Sequence, residues 1–339
     1  MYLEFYRLKD HPFSLTPDPD YLCLTAQHRE ALSGLVYCTR TRLGLTVLLG
    51  EAGTGKTTVL RTFTGLFEGK NLVLARCTNP TMNREEFYDL LLTELGVECA
   101  SSLKSRQLRA LEEALIRYRG EGRSAVLIVD EAQKLPLDLL EEIRLLLNLE
   151  TPREKLLQIV MAGQPELGAV LSRPELRQLK QRVSAICRLA PLAVEELGEY
   201  LQHRLGKAGL PEQKLFSDDI IVLIYRYTQG IPRVVNSLCE AALQTGFALQ
   251  SPLITPSIVH EAARDLELSD ADKTPAQEEP VPDDNPKVIQ MAVSPEAKLI
   301  HVLPKNDVNG QADTRVPFES YVSRQRSLGF FGQLLDRWK

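Results

Sequence analysis

A chain of 339 residues is long for one typical domain and fits one large domain or two unequal ones. Its 40 Lys+Arg against 45 Asp+Glu leave a formal net charge of −5, which argues against a protein that coats nucleic acid through bulk positive charge. The six cysteines (Cys23, Cys38, Cys77, Cys99, Cys187 and Cys239) form no C-x-x-C pair and no Cys/His cluster, which disfavours structural zinc, a redox pair or a disulfide framework and fits a reducing cytosol. No stretch approaches the ~18 apolar residues of a membrane span. The opening MYLEFYRLKD carries acids and no signal-peptide apolar core, so the expectation is a soluble, unexported, cytoplasmic chain.

Along the chain, short apolar runs at residues 45–49, 72–76, 125–130, 157–162 and 186–189 alternate with helical patterns. That alternation predicts a parallel sheet with helices on both faces, a three-layer α/β domain. Asn83 with Glu86 three residues on reads as a capping box opening a helix. Leu139, Ile143, Leu146 and Leu147 fall on one face of another. After Pro191 the strand pattern stops and four helices are expected, with Ser217 as one N-cap and Thr255, followed by Pro256, as another. The expected organisation is an N-terminal segment at 1–44, an α/β core at 45–190 and a small all-α domain at 191–268.

Near Ser269 the composition changes to SDADKTPAQEEPVPDDNP, too polar and proline-rich to bury a core, so residues 269–320 read as a disordered linker. Residues 321–339 restore an apolar pattern. On helical spacing Leu328, Phe331, Leu335 and Trp338 share a face, with Phe330 and Leu334 beside them and Arg324, Arg326, Arg337 and Lys339 around it. Such a helix suits a peripheral contact with an anionic membrane, or docking on a partner or on the chain's own body.

Chemistry concentrates at residues 50–57, GEAGTGKT, which match G-x-x-x-x-G-K-[ST] directly between an apolar run and a helical pattern. Gly50, Gly53, Thr54, Gly55, Lys56, Thr57 and Thr58 form the expected phosphate-binding set: glycines let backbone N–H groups wrap phosphate, and the helix start adds positive potential. Lys56 would reach the β- and γ-phosphates of ATP, and the Thr57 hydroxyl would ligate Mg²⁺. The run AVLIV ends in Asp130 and Glu131, a carboxylate pair that a buried strand carries only for a reason. Asp130 suits the Mg²⁺ shell, and Glu131 suits the base that activates the attacking water.

Four further candidates are less local. Gln164 follows the run at 157–162 and either holds the water near the γ-phosphate or merely forms a turn. Arg173, Arg177, Lys180 and Arg182 precede the last strand pattern, as a solvated face or as a source of an arginine finger, for which Arg182 is the first choice and Arg177 the second. Arg233 follows Gly230-Ile231-Pro232 at a helix start, where the helix dipole disfavours a cation unless a phosphate compensates.

GEAGTGKT, LIVDEAQ, MAGQPEL, LKQRV and GIPR, with FYRLKDHPFSLTPDPDYLCLTAQHREAL ahead of them, resemble the AAA+ ATPases of the ExeA (general secretion pathway protein A) type, in the broader ORC/TnsC-like ATPase grouping. The resemblance spans residues 1–268. It implies a P-loop AAA+ core with a helical lid, a ring or other homo-oligomer, and ATP-driven work on a partner assembly. It also implies Gln164 as sensor 1, Arg182 as the finger, and Phe13 and Pro17 packed near adenine, unless their segment is only a clasp. Secretion-type members carry a transmembrane helix and a periplasmic peptidoglycan-binding region, neither of which is evident here. The expected function is an ATPase that assembles or regulates a cell-envelope export, pilus or polysaccharide machine. A DNA-associated, transposition-helper-type ATPase is the alternative, and a nucleotide-switched scaffold with little turnover is a third. Lys104, Arg106, Arg109, Arg117, Arg119 and Arg123 favour DNA, but Glu112, Glu113 and Glu121 interleave with them and disfavour nucleic acid as partner.

Overall fold

The computed structural model describes residues 1–15, 21, 23–67, 71–210 and 215–270, all within one compact unit. The chain runs α1 (Tyr2–Phe5), α2 (Ala26–Arg40), β1 (Leu45–Gly50), α3 (Lys56–Gly65), β2 (Leu72–Cys77), α4 (Arg84–Glu94), α5 (Lys104–Gly120) and β3 (Ser124–Val129). It continues through α6 (Leu137–Leu146), β4 (Leu157–Gly163), α7 (Glu166–Leu171), α8 (Arg177–Lys180) and β5 (Val183–Leu189). The last four helices are α9 (Val194–Lys207), α10 (Asp218–Thr228), α11 (Pro232–Ala248) and α12 (Pro256–Asp265). Pro17, most of the expected linker and the expected helix at 321–339 lie outside the described residues. Among the described residues no helix is long and apolar enough to cross a membrane.

The sheet order is β2-β3-β4-β1-β5 and every pair is parallel. β1 and β4 are buried along their whole length, as expected of unbroken apolar strands covered on both faces. The edge strands β2 and β5 are only partly buried. One face of the sheet packs against α4 to α8 through Phe87, Leu91, Leu115, Ile143 and Leu179. The other packs against α2 and α3 through Leu32, Leu35, Val59 and Phe63. The capping box of α4 forms in both directions, with Glu86 N–H donating to Asn83 Oδ1 at 2.9 Å and Asn83 N–H to Glu86 Oε2 at 2.8 Å.

The four C-terminal helices form a separate apolar cluster, the lid. Here one expectation changes. Ser217 and Thr255 occupy N-cap positions, but neither side chain makes a cap hydrogen bond, and the Ser217 hydroxyl donates to the Asp219 carboxylate instead. The N-terminal residues pack into the lid core, as the clasp reading of that segment expects. Phe13 is fully buried and meets Phe216 edge-on at 6.0 Å. Arg204 of α9 clamps this strap by donating to the carbonyls of Pro12 and Ser14, while Lys9 N–H donates to Ala208 O at 2.7 Å.

The chain crosses between sheet and lid at two places, where Cys23 packs with the lid and Leu24 with the sheet, and between Leu189 and Leu192. Gln27 Oε1 accepts the Ala190 N–H at 2.9 Å and ties the two crossings together. Gly230, with φ +70°, returns a carbonyl to Leu192 N–H at 2.9 Å, and a Cβ there would lie 2.0 Å from Leu192 O. Gly230→Ala should therefore lower stability by about 2 kcal/mol or more, read from urea unfolding, because backbone overlap adds to the cost of a positive φ.

Candidate nucleotide site

Because all five strands run the same way, the loops after β1, β3 and β4 emerge along one edge of the sheet, where ligands of open α/β sheets bind. The loop after β1 wraps into α3 through Gly53 (φ +84°) and Gly55 (φ +98°). Lys56 folds back over it, donating from Nζ to Gly50 O at 2.6 Å and to Glu51 O at 2.9 Å. Burial pushes its ammonium below the ordinary lysine range, while Glu131, Asp130, Glu51 and Glu166 pull it back up. The Thr54 hydroxyl is turned inward and donates to Glu51 O at 2.8 Å, so its side chain shapes the loop. Thr57 is exposed in the first turn of α3, and Thr58, half-buried, follows it.

Asp130 and Glu131 follow β3 on the same edge. Thr57 Oγ1 donates to Asp130 Oδ2 at 3.4 Å, a hydroxyl and a carboxylate placed as hard oxygen donors suited to Mg²⁺. The first N–H groups of α3 have no partner within the helix and suit phosphate oxygens, so the residues present fit both groups. Glu131 adopts φ +51°, uncommon for a residue with a side chain. Gln133, which the sequence reading passed over, holds its carboxylate: Nε2 donates to Glu131 Oε2 at 2.8 Å and Oε1 accepts the Gln164 N–H at 3.2 Å. Gln133 thus links the ends of β3 and β4. Its only sequence signal is its place two residues after the acidic pair.

The lid closes the site from the far side. Arg233 N–H at the start of α11 donates to Gly53 O at 3.3 Å, and a Cβ on Gly53 would lie 2.8 Å from the Arg233 Cβ. Arg182 is not brought to this edge. It precedes β5, whose Val183 pairs with Leu45 at the start of β1, so a strand length of roughly 20 Å separates it from the loop after Gly50. There Arg182 donates to Leu147 O at 3.4 Å, and Arg177 is exposed at the start of α8.

His28 is the second residue the sequence reading missed. Buried in the first turn of α2, it lies with Nε2 3.0 Å from Thr54 O and Nδ1 2.8 Å from Thr25 Oγ1. A lone histidine in a mostly polar helix gives no periodic signal, and its contact spans 26 residues.

A parallel sheet in this order, a glycine-rich loop after β1, an acidic pair after β3 and a helical domain against the same loop define the AAA+ P-loop fold, which this chain adopts. Residues 39–171 match the AAA domain family. General secretion pathway protein A of Aeromonas hydrophila is similar, 36% identical over 267 residues that cover 78% of this chain and 48% of that protein. The chain therefore spans about half the length of the curated relative it matches. Among solved structures, Cdc6p from Pyrobaculum aerophilum has a TM-score of 0.58 at 20% identity, covering 75% of this chain and 70% of that one. The Aeropyrum pernix ORC2 protein has 0.56 at 16%, covering 76% and 72%. Drosophila ORC bound to DNA has 0.59 at 18%, covering 79% and 67%. At these identities the likeness is one of fold.

Burial holds His28 below the ordinary histidine value of 6.5, with Arg29 acting in the same direction and Thr54 and Glu196 opposing it. The unfolded chain then takes up a proton that the folded one refuses, so this residue's contribution is complete above 6.5 and is lost as pH falls. Thermal unfolding midpoints should decline as pH is lowered through that range, and His28→Gln should remove that part of the slope.

Proposed function

We propose that the chain binds ATP with Mg²⁺, hydrolyses it, and couples the cycle to assembly or regulation of a cell-envelope export or polysaccharide system. The observation that carries the reading is the convergence of Lys56, Thr57, Asp130 and Glu131 on one sheet edge with Arg233 of the lid against the same loop. Lys56 would transfer its donors from the loop carbonyls to phosphate oxygens. Thr57 and Asp130 would hold Mg²⁺, which when bound neutralises charge on the β- and γ-phosphate oxygens. Glu131 would orient the attacking water and take its proton, with Gln133 fixing its carboxylate and Gln164 beside it. Arg233 would report the γ-phosphate to the lid.

The position of Arg182 supports sharing of the site between subunits. Since it is remote from its own loop, it serves as a finger only for a neighbouring copy, which makes a homo-oligomer part of the reading. The likeness to general secretion pathway protein A supports the envelope role. Against the DNA-associated alternative, Lys104, Arg119 and Arg123 of the basic stretch are paired with Glu142, Glu154 and Glu121. The pattern at residues 321–339 supports a peripheral membrane contact.

Lys56→Ala should abolish tight ATP binding, whereas Glu131→Gln should keep binding and cut turnover by about 10² or more. Normal hydrolysis by Glu131→Gln would remove Glu131 from the base role. Arg182→Ala and Lys56→Ala should each be inactive, yet activity should return when they are mixed, since some interfaces then join an intact loop to an intact arginine. A mixture that co-assembles and stays inactive would move the finger to Arg177 or remove it. Deleting residues 321–339 should leave basal hydrolysis unchanged and reduce binding to anionic liposomes, and equal binding by the two forms would exclude the membrane contact.

A further inference from the structure

We infer that His28 is a positioning residue of this site, aiming the Gly55 N–H at a nucleotide phosphate through the Thr54 carbonyl, an inference that rests on the ATP-binding reading. The Thr54 carbonyl can only accept, so the His28 Nε2 at 3.0 Å carries the proton and donates it. The neutral ring then has its lone pair on Nδ1, which accepts the Thr25 hydroxyl at 2.8 Å. Burial disfavours the doubly protonated ring; the Thr54 carbonyl selects the tautomer, and the Thr25 hydroxyl adapts to it as donor.

The consequence passes through peptide planarity. The Thr54 carbonyl and the Gly55 N–H belong to one trans peptide unit and point in opposite directions. Gripping the oxygen from the α2 side turns the N–H away from α2, towards the mouth of the loop. Gly55 is fitted to this grip twice over. Its φ of +98° suits glycine, and a Cβ would lie 2.7 Å from the His28 Nε2. The grip also has a fixed base: the neighbouring Gln27 accepts the Ala190 N–H, so this turn of α2 is anchored on the connection to the lid.

The test measures Mg²⁺-ADP affinity by titration calorimetry, and KM and kcat for ATP, in wild type, His28→Gln, His28→Leu, Thr25→Val and Lys56→Ala. Gln keeps an N–H near the Nε2 position, while Leu keeps volume without the donor. His28→Leu should bind ADP about tenfold more weakly, the worth of one hydrogen bond, and raise KM by a similar factor with kcat nearly kept. His28→Gln should recover affinity to within about threefold of wild type. Thr25→Val, which removes only the hydroxyl that supports the ring at Nδ1, should lose about threefold. With ADP bound by wild type and lost in Lys56→Ala, equal affinities for His28→Leu and wild type would overturn the inference. So would a His28→Gln as weak as His28→Leu, which would mark a packing role. A wild type that binds no ADP would overturn the nucleotide reading itself, and this inference with it.

Discussion

The loop at residues 50–57 suits an anion because its carbonyl oxygens are already engaged from within the protein. Lys56 takes those of Gly50 and Glu51, the Thr54 hydroxyl shares Glu51, Arg233 N–H takes Gly53 and His28 takes Thr54. Each engaged oxygen turns its peptide unit so that the N–H partner faces away from the donor. The donors come from four places: the loop itself, the first residue of α3, the lid and α2. The electrostatic polarity of the loop is therefore a tertiary property, and the motif supplies only part of it.

That division explains what could be read from the sequence. The central strands were visible because strands buried on both faces are unbroken apolar runs, and the phosphate loop because its glycines, lysine and hydroxyl sit at fixed spacing between strand and helix. The capping box of α4 was equally local. Packing across long separations left no trace. Phe13 belongs with Phe216, His28 with Thr54 and Gln133 with Gln164, and no periodicity announces such pairs. Ser217 and Thr255 show the converse, cap positions read correctly whose side chains bond elsewhere or not to the helix start. The distance of Arg182 from its own loop depends on strand register, which apolar runs do not specify.

Charge in the core domain is similarly internal. Glu142 of α6 is buried, yet it accepts the Tyr88 hydroxyl at 2.7 Å and pairs with Arg84 at 2.8 Å and Lys104 at 2.7 Å. These contacts join α4, α5 and α6 on one face of the sheet. Glu154 likewise gathers Arg42 and Arg119. A stretch that looks basic in one dimension is thus partly neutralised by acids that are distant in sequence, and counting its lysines and arginines overstates the field it projects.

The paired crossings between sheet and lid have a mechanical meaning. A domain joined by one strand of chain can bend in two directions and twist, whereas two strands side by side, cross-linked by Gln27 and Ala190, resist twisting and bending in their shared plane. The start of α11, where Arg233 N–H meets Gly53 O, is thus held against the loop by a connection that limits how the two parts can turn. Registration between lid and loop is then built into the connection.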